Sequence, residues 1–467
     1  MNASITKTMR DSALLRWSAL LLVAATMFFA YMFVDVLSPL QTLLEQQVNW
    51  SADTYGIFAS SEYFLNVFAF FLLFAGIILD KLGIRFTALL SASIMVLGGA
   101  IKLYAISSYF TPGVALYDWL GSFWVSFPPT AKLASLGFAI FGSGLEMAGI
   151  TVSKAIVKWF KGKEMALAMG IEMAVARLGV WAVFRISPYL ASLGSPDVVR
   201  PVAVCCALLC IGLITFVIYC LMDIKLDKQL GEQAVGVEEE EEEAFRISDI
   251  AILFKSKVFL IVALLCVLYY SAIFPFQKFA TSMLENRLHM PTQEASNLFS
   301  WFPIGAMLIT PFLGYFLDKK GKGATMLILG SILVFICHSV FAFFPLKPDD
   351  QFSLNVAHAA IMVLGVSFSL VPAALWPSIP KLVENRYLGS AYSVIFWIQN
   401  IGLWLFPNII GFVLKWTNPD EALTGHYDYT WAMIIFASLG IIAFFLGLWL
   451  KVEDKKHNYG LEAPNIQ

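Results

Sequence analysis

Twelve stretches of about 20 mostly apolar residues recur along this chain of 467 residues, and they constrain its fold more than any other feature. In hydrocarbon, backbone N–H and C=O groups must be satisfied within their own segment, which such a stretch achieves as an α-helix. Only 14% of the residues are charged, against roughly a quarter in soluble domains. We therefore predict an all-α, polytopic membrane protein with twelve transmembrane helices. The predicted spans are 17–37, 55–79, 86–106, 133–153, 165–191, 201–222, 258–279, 294–317, 324–344, 354–378, 388–413 and 430–451.

The apolar pattern is interrupted most strongly in the middle of the chain, by a stretch with six consecutive glutamates, Glu238 to Glu243. A run of like charge cannot be buried and is expected to be solvated. We interpret it as a solubilising tether, with a regulatory role as the alternative. The predicted domains are an N-terminal six-helix half at 1–222, an acidic linker at 223–257, a C-terminal six-helix half at 258–451 and a tail at 452–467.

The distribution of basic residues predicts the orientation in the membrane. If the N-terminus is cytoplasmic, 22 of the 31 Lys and Arg residues lie in the tails and loops of that side. The positive-inside rule therefore places both termini in the cytoplasm, and the linker with them. The short tails favour a cell (inner) membrane of prokaryotic type, with the lysosomal membrane as the alternative. The net charge of −2 gives no reason to expect nucleic acid as a partner.

A loop motif occurs twice, once after the second span and again 238 residues later, after the eighth. Repeated halves are typical of secondary transporters, whose substrate site lies near the bilayer midplane between them. Glycine lets helices approach closely, and an Asp beside basic residues can form a latch near helix ends. We therefore predict a gating role for the motif residues Asp80, Lys81, Gly83, Arg85, Asp318, Lys319 and Gly321.

Two charges inside predicted spans are the first candidates for the substrate site. Burying a charge in a span costs about 2.5 to 3.5 kcal/mol on insertion scales, so such residues mark functional sites. From the spacing to Lys154 and to Glu164, Glu146 lies about 12 Å and Arg177 about 19 Å from the same membrane edge. Both are thus near the middle of a core about 30 Å thick. A guanidinium binds carboxylates and a carboxylate binds ammonium groups, so together they fit a zwitterion; mutual neutralisation is the alternative.

Other polar and aromatic residues in the spans are weaker candidates. Glu62 and Glu172 are further carboxylates that could favour cationic substrates. Asp35 lies near one end of its span, and Lys278 is expected to extend its ammonium group towards the interface. Polar side chains in a span can also bond a neighbouring helix, and aromatic side chains can simply pack. The remaining candidates are Tyr269, Tyr270, Phe274, Trp376, Trp397, Gln399 and Asn400.

The sequence shows no pattern of an enzyme or of an ATP-driven pump. It contains neither a nucleophile–base constellation nor a phosphate-binding glycine loop, so we predict no enzymatic activity and no cofactor. The six cysteines all lie in apolar runs without metal-ligand spacing, and the histidines are scattered. We therefore expect no metal site, and buried cysteines that pack as small hydrophobic residues.

The duplicated motif resembles the loop signature of the major facilitator superfamily, although Ile84 and Gly323 stand where that family often has a basic residue. A closer resemblance, to the dipeptide transporters of the domain-containing protein 1 type in that superfamily, runs through most of the membrane region. The segments that carry it are Lys158–Gly179 (KWFKGKEMALAMGIEMAVARLG), Tyr269–Phe276 (YYSAIFPF), Ala374–Pro377 (ALWP) and Leu388–Gly402 (LGSAYSVIFWIQNIG).

This resemblance implies a major facilitator fold and facilitated transport of dipeptides without an obligatory proton, by a carrier that works as a monomer. It maps the acidic and basic substrate-binding residues onto Glu146 and Arg177, and it extends to Trp376 and Asn400. The glutamate run and the aromatic loop at 108–131 depart from the pattern, so transport direction and any accessory subunit stay open. Two alternatives remain: a carrier of organic or inorganic anions held by Arg177, and a membrane receptor that transports nothing.

Overall fold

The computed structural model describes residues 8–231, 252–348, 350–419 and 426–464. The glutamate run therefore lies outside the described residues. Most of the described chain is α-helical, as the apolar stretches predict. The helices are α1 (Ala13–Val34), α2 (Gln41–Val48), α3 (Ala52–Ser61), α4 (Phe64–Phe68), α5 (Phe71–Ile106), α6 (Ala115–Gly121), α7 (Pro129–Phe160), α8 (Met165–Ser192), α9 (Val199–Gly231), α10 (Lys257–Leu288), α11 (Thr292–Phe299), α12 (Trp301–Lys320), α13 (Gly323–Phe343), α14 (Gln351–Leu375), α15 (Ile379–Leu382), α16 (Leu388–Thr417) and α17 (Thr430–His457).

The second predicted span is broken. Among the described residues, eleven helical segments are long and apolar enough to cross a membrane, one fewer than the predicted spans. The stretch 55–79 is divided between α3, α4 and the start of α5, with Phe70 in the left-handed region at φ 51°. Gly83 then bends α5 at φ 78°, ψ 171°, a conformation that glycine adopts without steric cost. The second span ends at this bend and the third begins there, so the twelve-span order is kept.

The N-terminal segment lies beside the loop between α7 and α8, on a face of the molecule that we call the terminal face. Arg16 at the start of α1 forms an ion pair with Glu164 before α8, at 2.9 Å, and Asp11 pairs with Lys163 at 3.4 Å. The backbone N–H and hydroxyl of Thr8 hold the pKa of the Asp11 carboxyl below its usual range. The loop between α7 and α8 is thereby fixed to the N-terminal segment.

The two halves pack closely near the other face, which we call the opposite face. A Cβ on Gly56 of α3 would lie 2.4 Å from the carbonyl oxygen of Pro407, so α3 and α16 approach backbone to backbone there. Nearby, Lys415 of α16 pairs with Asp53 of α3 at 2.7 Å. Further along this face, the Thr42 hydroxyl donates to Glu285 at 2.9 Å. Small residues allow such approach between transmembrane helices.

Two sequence predictions need correction: not every cysteine is buried, and the last helix of the N-terminal half is longer than predicted. Five cysteines are buried as expected, but Cys210 is exposed on the outside of α9, and none forms a disulfide. Helix α9 continues to Gly231, beyond the boundary drawn at residue 222, because Asp223 and Asp227 find basic partners there.

Candidate substrate site

Glu146 lies on α7, between Gly142 and Lys154. Lys154, eight residues further along, pairs with Asp80 at 2.7 Å on the terminal face. One turn before Glu146, Gly142 has no side chain, so the backbone carbonyl of Glu62 packs against α7. Glu146 is half-buried, and it forms no ion pair with any residue that the structure describes. A half-buried carboxylate without a counter-charge is poised to take a cation.

Arg177 lies on α8, with its guanidinium over the ring of Phe368 from α14, 4.5 Å from the ring centroid. It too is half-buried and forms no ion pair with a described residue. Mutual neutralisation of Glu146 and Arg177, the alternative left open by the sequence, therefore does not occur in this conformation. A cation–π contact leaves the N–H fork of the guanidinium unused, so it can still bind a carboxylate.

Tyr31 of α1 lies near both charges. Its hydroxyl is in electrostatic range of Glu172, Glu146 and Arg177, and Arg177 is likewise in range of Tyr270 on α10. Residues from α1, α7 and α8 of the N-terminal half and from α10 and α14 of the C-terminal half thus surround one region. This is the interhalf position expected of a transporter site.

An aromatic wall closes the C-terminal side of this region. The indole N–H of Trp376 donates to the Tyr270 hydroxyl at 3.2 Å. The Trp376 ring stacks on the ring of Phe396, with 4.7 Å between the ring centroids. Phe368, which carries the Arg177 guanidinium, meets Tyr270 edge to face. Tyr269 points away from the site, and its hydroxyl donates to the Leu327 carbonyl on α13. Of the two candidate tyrosines, Tyr270 thus lies between Phe368, which carries Arg177, and Trp376, whereas Tyr269 does not.

Gln399 and Asn400, the two neighbouring polar residues of α16, lie in different environments. The amide oxygen of Gln399 accepts a hydrogen bond from the Cys266 thiol at 3.3 Å. The Asn400 amide donates to the Phe396 carbonyl in its own helix at 2.9 Å, while its buried oxygen has no hydrogen-bond partner in the described chain. Asn400 thus retains an unused acceptor, whereas Gln399 is occupied within its own half.

A buried cluster joins the halves between this region and the opposite face. The Lys278 ammonium of α10 lies 3.1 Å from a carboxylate oxygen of Asp35 and 3.1 Å from one of Glu62. All three residues are buried, so the expectation that Lys278 extends to the interface is wrong: two carboxylates of the other half retain it. Gln277 also donates to Asp35, at 2.6 Å. The cluster thus joins the two halves through buried ion pairs and a hydrogen bond.

Lys102 on α5 was not singled out in the sequence, although it lies in the third predicted span. It is fully buried, and its ammonium group is surrounded by aromatic rings, at 4.2 Å from the centroid of Phe138 and 4.4 Å from that of Phe33. Within the described chain, its one hydrogen bond goes to the Phe33 carbonyl at 3.5 Å. A charge count span by span would have identified it.

The first loop motif forms an ion-pair network on the terminal face. Asp80 accepts from Lys154, as described, and Arg85 lies 3.3 Å from Asp227 at the end of α9. Buried Asp223 accepts from Lys158 at 2.8 Å and from the Trp159 indole at 3.1 Å. Lys81 is exposed, and Gly83 provides the bend in α5. These contacts tie α5, α7 and α9 within one half.

Replacing Asp223 by alanine should lower the free energy of unfolding by about 2 kcal/mol, because it removes the hydrogen bonds that Lys158, Trp159 and Tyr219 donate to a buried charged acceptor. Asp80→Ala, which breaks an exposed ion pair in the same network, should cost less than about 1 kcal/mol. Denaturation of the purified protein measures both. Equal losses for the two variants would contradict the conclusion that buried Asp223 contributes more to the stability of this network than exposed Asp80.

The second loop motif is held by the C-terminal tail. Gly321 ends α12 at φ 70°, and the next two backbone N–H groups donate to the carbonyls of Glu462 and Leu461 at 3.0 and 3.1 Å. The Glu462 carboxylate caps α13 by accepting from the Thr325 N–H at 2.7 Å. Asp318 is half-buried, and exposed Lys319 lies over the Tyr315 ring. Backbone contacts with the tail thus hold the start of α13.

Comparison with known proteins agrees with this architecture. The lysosomal dipeptide transporter MFSD1 of Mus musculus is 26% identical over 396 residues, which cover 83% of this chain and 77% of the relative. The nucleoside transporter NupG superposes with a TM-score of 0.67 at 15% identity, covering 92% of this chain and 98% of NupG. The inward-open xylose transporter XylE from E. coli gives 0.68 at 14% identity, covering 93% and 95%.

The family profile described as Major Facilitator Superfamily matches residues 23–407 and 279–464, which together span nearly all of the membrane region. This match, the helical fold and the paired halves agree with one another. The chain belongs to the major facilitator superfamily, whose members are membrane transporters.

Proposed function

We propose that this protein carries dipeptides across a membrane by alternating access, with Glu146 binding the free amine and Arg177 the free carboxylate. The observation that carries the proposal is that these two opposite charges lie around one interhalf region, each without an ion-pair partner among the described residues. Two unneutralised charges inside a membrane domain are costly unless a ligand completes them. A zwitterion neutralises both at once, and a dipeptide separates its two charges along its length.

The name of the mouse relative supports the same substrate, since that protein is a lysosomal dipeptide transporter. Transport is facilitated, because the gradient of the substrate is sufficient to drive a carrier that exchanges between two conformations. Trp376 and Tyr270 form the apolar wall against which the body of the peptide packs. The unused oxygen of Asn400 accepts a hydrogen bond from the peptide. The termini lie on the cytoplasmic side, as the basic loops indicate.

Thermal stability of the purified protein in the presence of candidate ligands tests this proposal. A ligand that binds only the folded state stabilises it, by about 2.7 kcal/mol at a hundredfold excess over its dissociation constant. Dipeptides with free ends should raise the unfolding temperature. N-acetylated or amidated dipeptides should raise it much less, because each lacks one of the two charges.

The second candidate function is anion transport. It is favoured by Arg177, whose guanidinium has no carboxylate partner in the described chain. A relative named probable anion transporter 2 of Oryza sativa is 29% identical over 171 residues, 37% of this chain and 28% of that protein. Nitrate and oxalate therefore belong in the same panel. Stabilisation by these anions and not by dipeptides would replace the dipeptide proposal with this one.

A further inference from the structure

A pocket of about 220 Å³ lies at the seam between the two halves, near the opposite face. The N-terminal half contributes Arg185 of α8 to its lining. The C-terminal half contributes Glu294 and Asn297 of α11, Trp301 of α12 and His358 of α14. None of these residues belongs to the candidate substrate site described above, so the pocket is a separate feature of the molecule.

The depth of the pocket follows from the positions of its residues in their helices. Successive spans run in opposite directions, so α8 ends at the opposite face, and α11 and α14 begin there. Arg185 precedes the end of α8 at Ser192 by seven residues, or about 10 Å of helix. Glu294 lies in the first turn of α11. The pocket therefore lies where the hydrocarbon core of a bilayer gives way to the lipid headgroups.

Exposed apolar side chains surround the pocket on both helices of the seam. Tyr189, one turn after Arg185 on α8, is 58% exposed. On α12, Trp301 is 40% exposed and Leu308 is 59% exposed. Such side chains contact acyl chains in a membrane domain, and Trp and Tyr are enriched at the level of the headgroups. The pocket therefore opens towards lipid.

The guanidinium of Arg185 has unused hydrogen-bonding capacity. Its central carbon lies 5.5 Å from the ring centroid of Trp181 and 5.8 Å from that of Trp301. Its Nε donates to the Ser300 hydroxyl at 3.1 Å, and its two terminal nitrogens donate to no residue that the structure describes. Arg185 also forms no ion pair within the described chain. A guanidinium at this depth favours an anion, and its N–H fork matches the oxygens of a phosphate.

The pocket also offers a negative charge, from Glu294. This carboxylate is exposed, and it forms an ion pair neither with Arg185 nor with any other described residue. Nearby, the amide oxygen of Asn297 accepts from Gln293 at 3.0 Å, which leaves the amide N–H groups of Asn297 as donors. Glu294 repels a ligand that is only anionic. A ligand with an anionic group and an ammonium group satisfies both charged side chains.

We propose that this pocket binds a phospholipid from the leaflet at the opposite face, with the phosphate on Arg185 and a primary ammonium on Glu294. Phosphoethanolamine is the headgroup with these two groups. Because Arg185 belongs to the N-terminal half and Glu294 to the C-terminal half, the bound lipid joins the halves across the seam. The inference does not depend on which substrate the protein carries.

Lipid titration of the purified full-length protein, followed by native mass spectrometry, tests the inference. The probes are dioleoyl lipids with phosphoethanolamine, phosphoglycerol or phosphocholine headgroups. The phosphoethanolamine lipid should bind about tenfold more tightly than the other two, because a charge-assisted hydrogen bond to Glu294 contributes roughly that factor. Phosphoglycerol has no ammonium group, and the trimethylated ammonium of phosphocholine has no N–H to donate.

Matched variants assign the two charges. Arg185→Gln should weaken the binding of all three lipids, and Glu294→Gln should remove the preference for phosphoethanolamine. Lys415→Met, which alters an exposed cation of the same face outside the pocket, should keep the native preference. A native preference in either pocket variant would overturn the inference. Thermal unfolding shows whether the variants fold, and Glu294→Gln decides alone if Arg185→Gln does not.

Soluble zwitterions distinguish a lipid site from a second solute site. Glycerophosphoethanolamine, which is the same headgroup without acyl chains, should bind much more weakly than the lipid. Binding as tight as that of the lipid, or loss of dipeptide binding in Arg185→Gln, would refute the lipid assignment. If dipeptides do not bind the native protein but the lipid preferences follow the predicted pattern, the proposed substrate is wrong and the lipid site stands.

Discussion

Replacement of Arg177 by alanine is expected to reduce dipeptide uptake by about a hundredfold or more. A guanidinium that binds a carboxylate through two charge-assisted hydrogen bonds contributes about 3 kcal/mol, which corresponds to that factor. The loss should appear in proteoliposomes loaded with labelled dipeptide, with the protein still folded and inserted. In this structure the Arg177 side chain makes a ring contact and no ion pair in the described chain, so its removal leaves no buried partner uncompensated.

Two further variants show which end of the substrate each charge binds. Arg177→Lys keeps the charge and loses the planar fork, so it should recover only part of the activity. Glu146→Gln should lose the preference for a free amine, and it should treat N-acetylated and unmodified dipeptides alike. Uptake at the native rate by Arg177→Ala would refute the assignment, whatever the other variants do.

Replacement of Lys278 by methionine is expected to lower the free energy of unfolding by about 3 kcal/mol. Removal of one partner from a buried ion pair usually costs about 3–5 kcal/mol, because the remaining charge is uncompensated. The lower end of that range applies because Lys102 lies close enough to relieve part of the excess negative charge. Denaturant unfolding of the purified protein measures the change.

The exposed pair between Lys415 and Asp53 provides a matched control. It also joins the two halves, at 2.7 Å, but the Lys415 side chain is 55% exposed. Lys415→Met should therefore cost less than about 1 kcal/mol. Addition of Asp35→Asn and Glu62→Gln to Lys278→Met should restore much of the lost stability, because no buried charge then lacks a partner. If both lysine variants lose the same small amount, the buried cluster does not hold the halves together.

Much of the fold follows from local properties of the sequence. Eleven of the twelve predicted spans correspond to continuous helices or helix pairs, because a long apolar segment in hydrocarbon has the helix as its stable form. The repeated motif predicted two related halves without reference to any contact. Depth could also be predicted for Glu146 and Arg177, since the rise per residue is fixed and each helix begins or ends at a recognisable charged loop.

The ion-pair partners of charged residues, and the side of each helix that faces a given neighbour, could not be predicted in this way. Hydropathy does not distinguish Tyr269 from Tyr270, yet they lie on different sides of α10, one against Leu327 and the other beside Trp376. The cost of burying Lys278 was evident, but the two carboxylates that retain it come from segments more than two hundred residues away.

The sequence by itself determined that this protein is a helical membrane protein, and it predicted two repeated halves with two unusual charges at mid-depth. These properties depend on the solvation of each segment and on its own spacing, which are local. The tertiary structure alone decided where the second span breaks, that Glu146 and Arg177 form no ion pair with any described residue, and that Lys102 lies beside the cluster of Asp35, Glu62 and Lys278. Those outcomes depend on which side chains meet when the helices pack, and electrostatic energies are set by such distances and not by position along the chain.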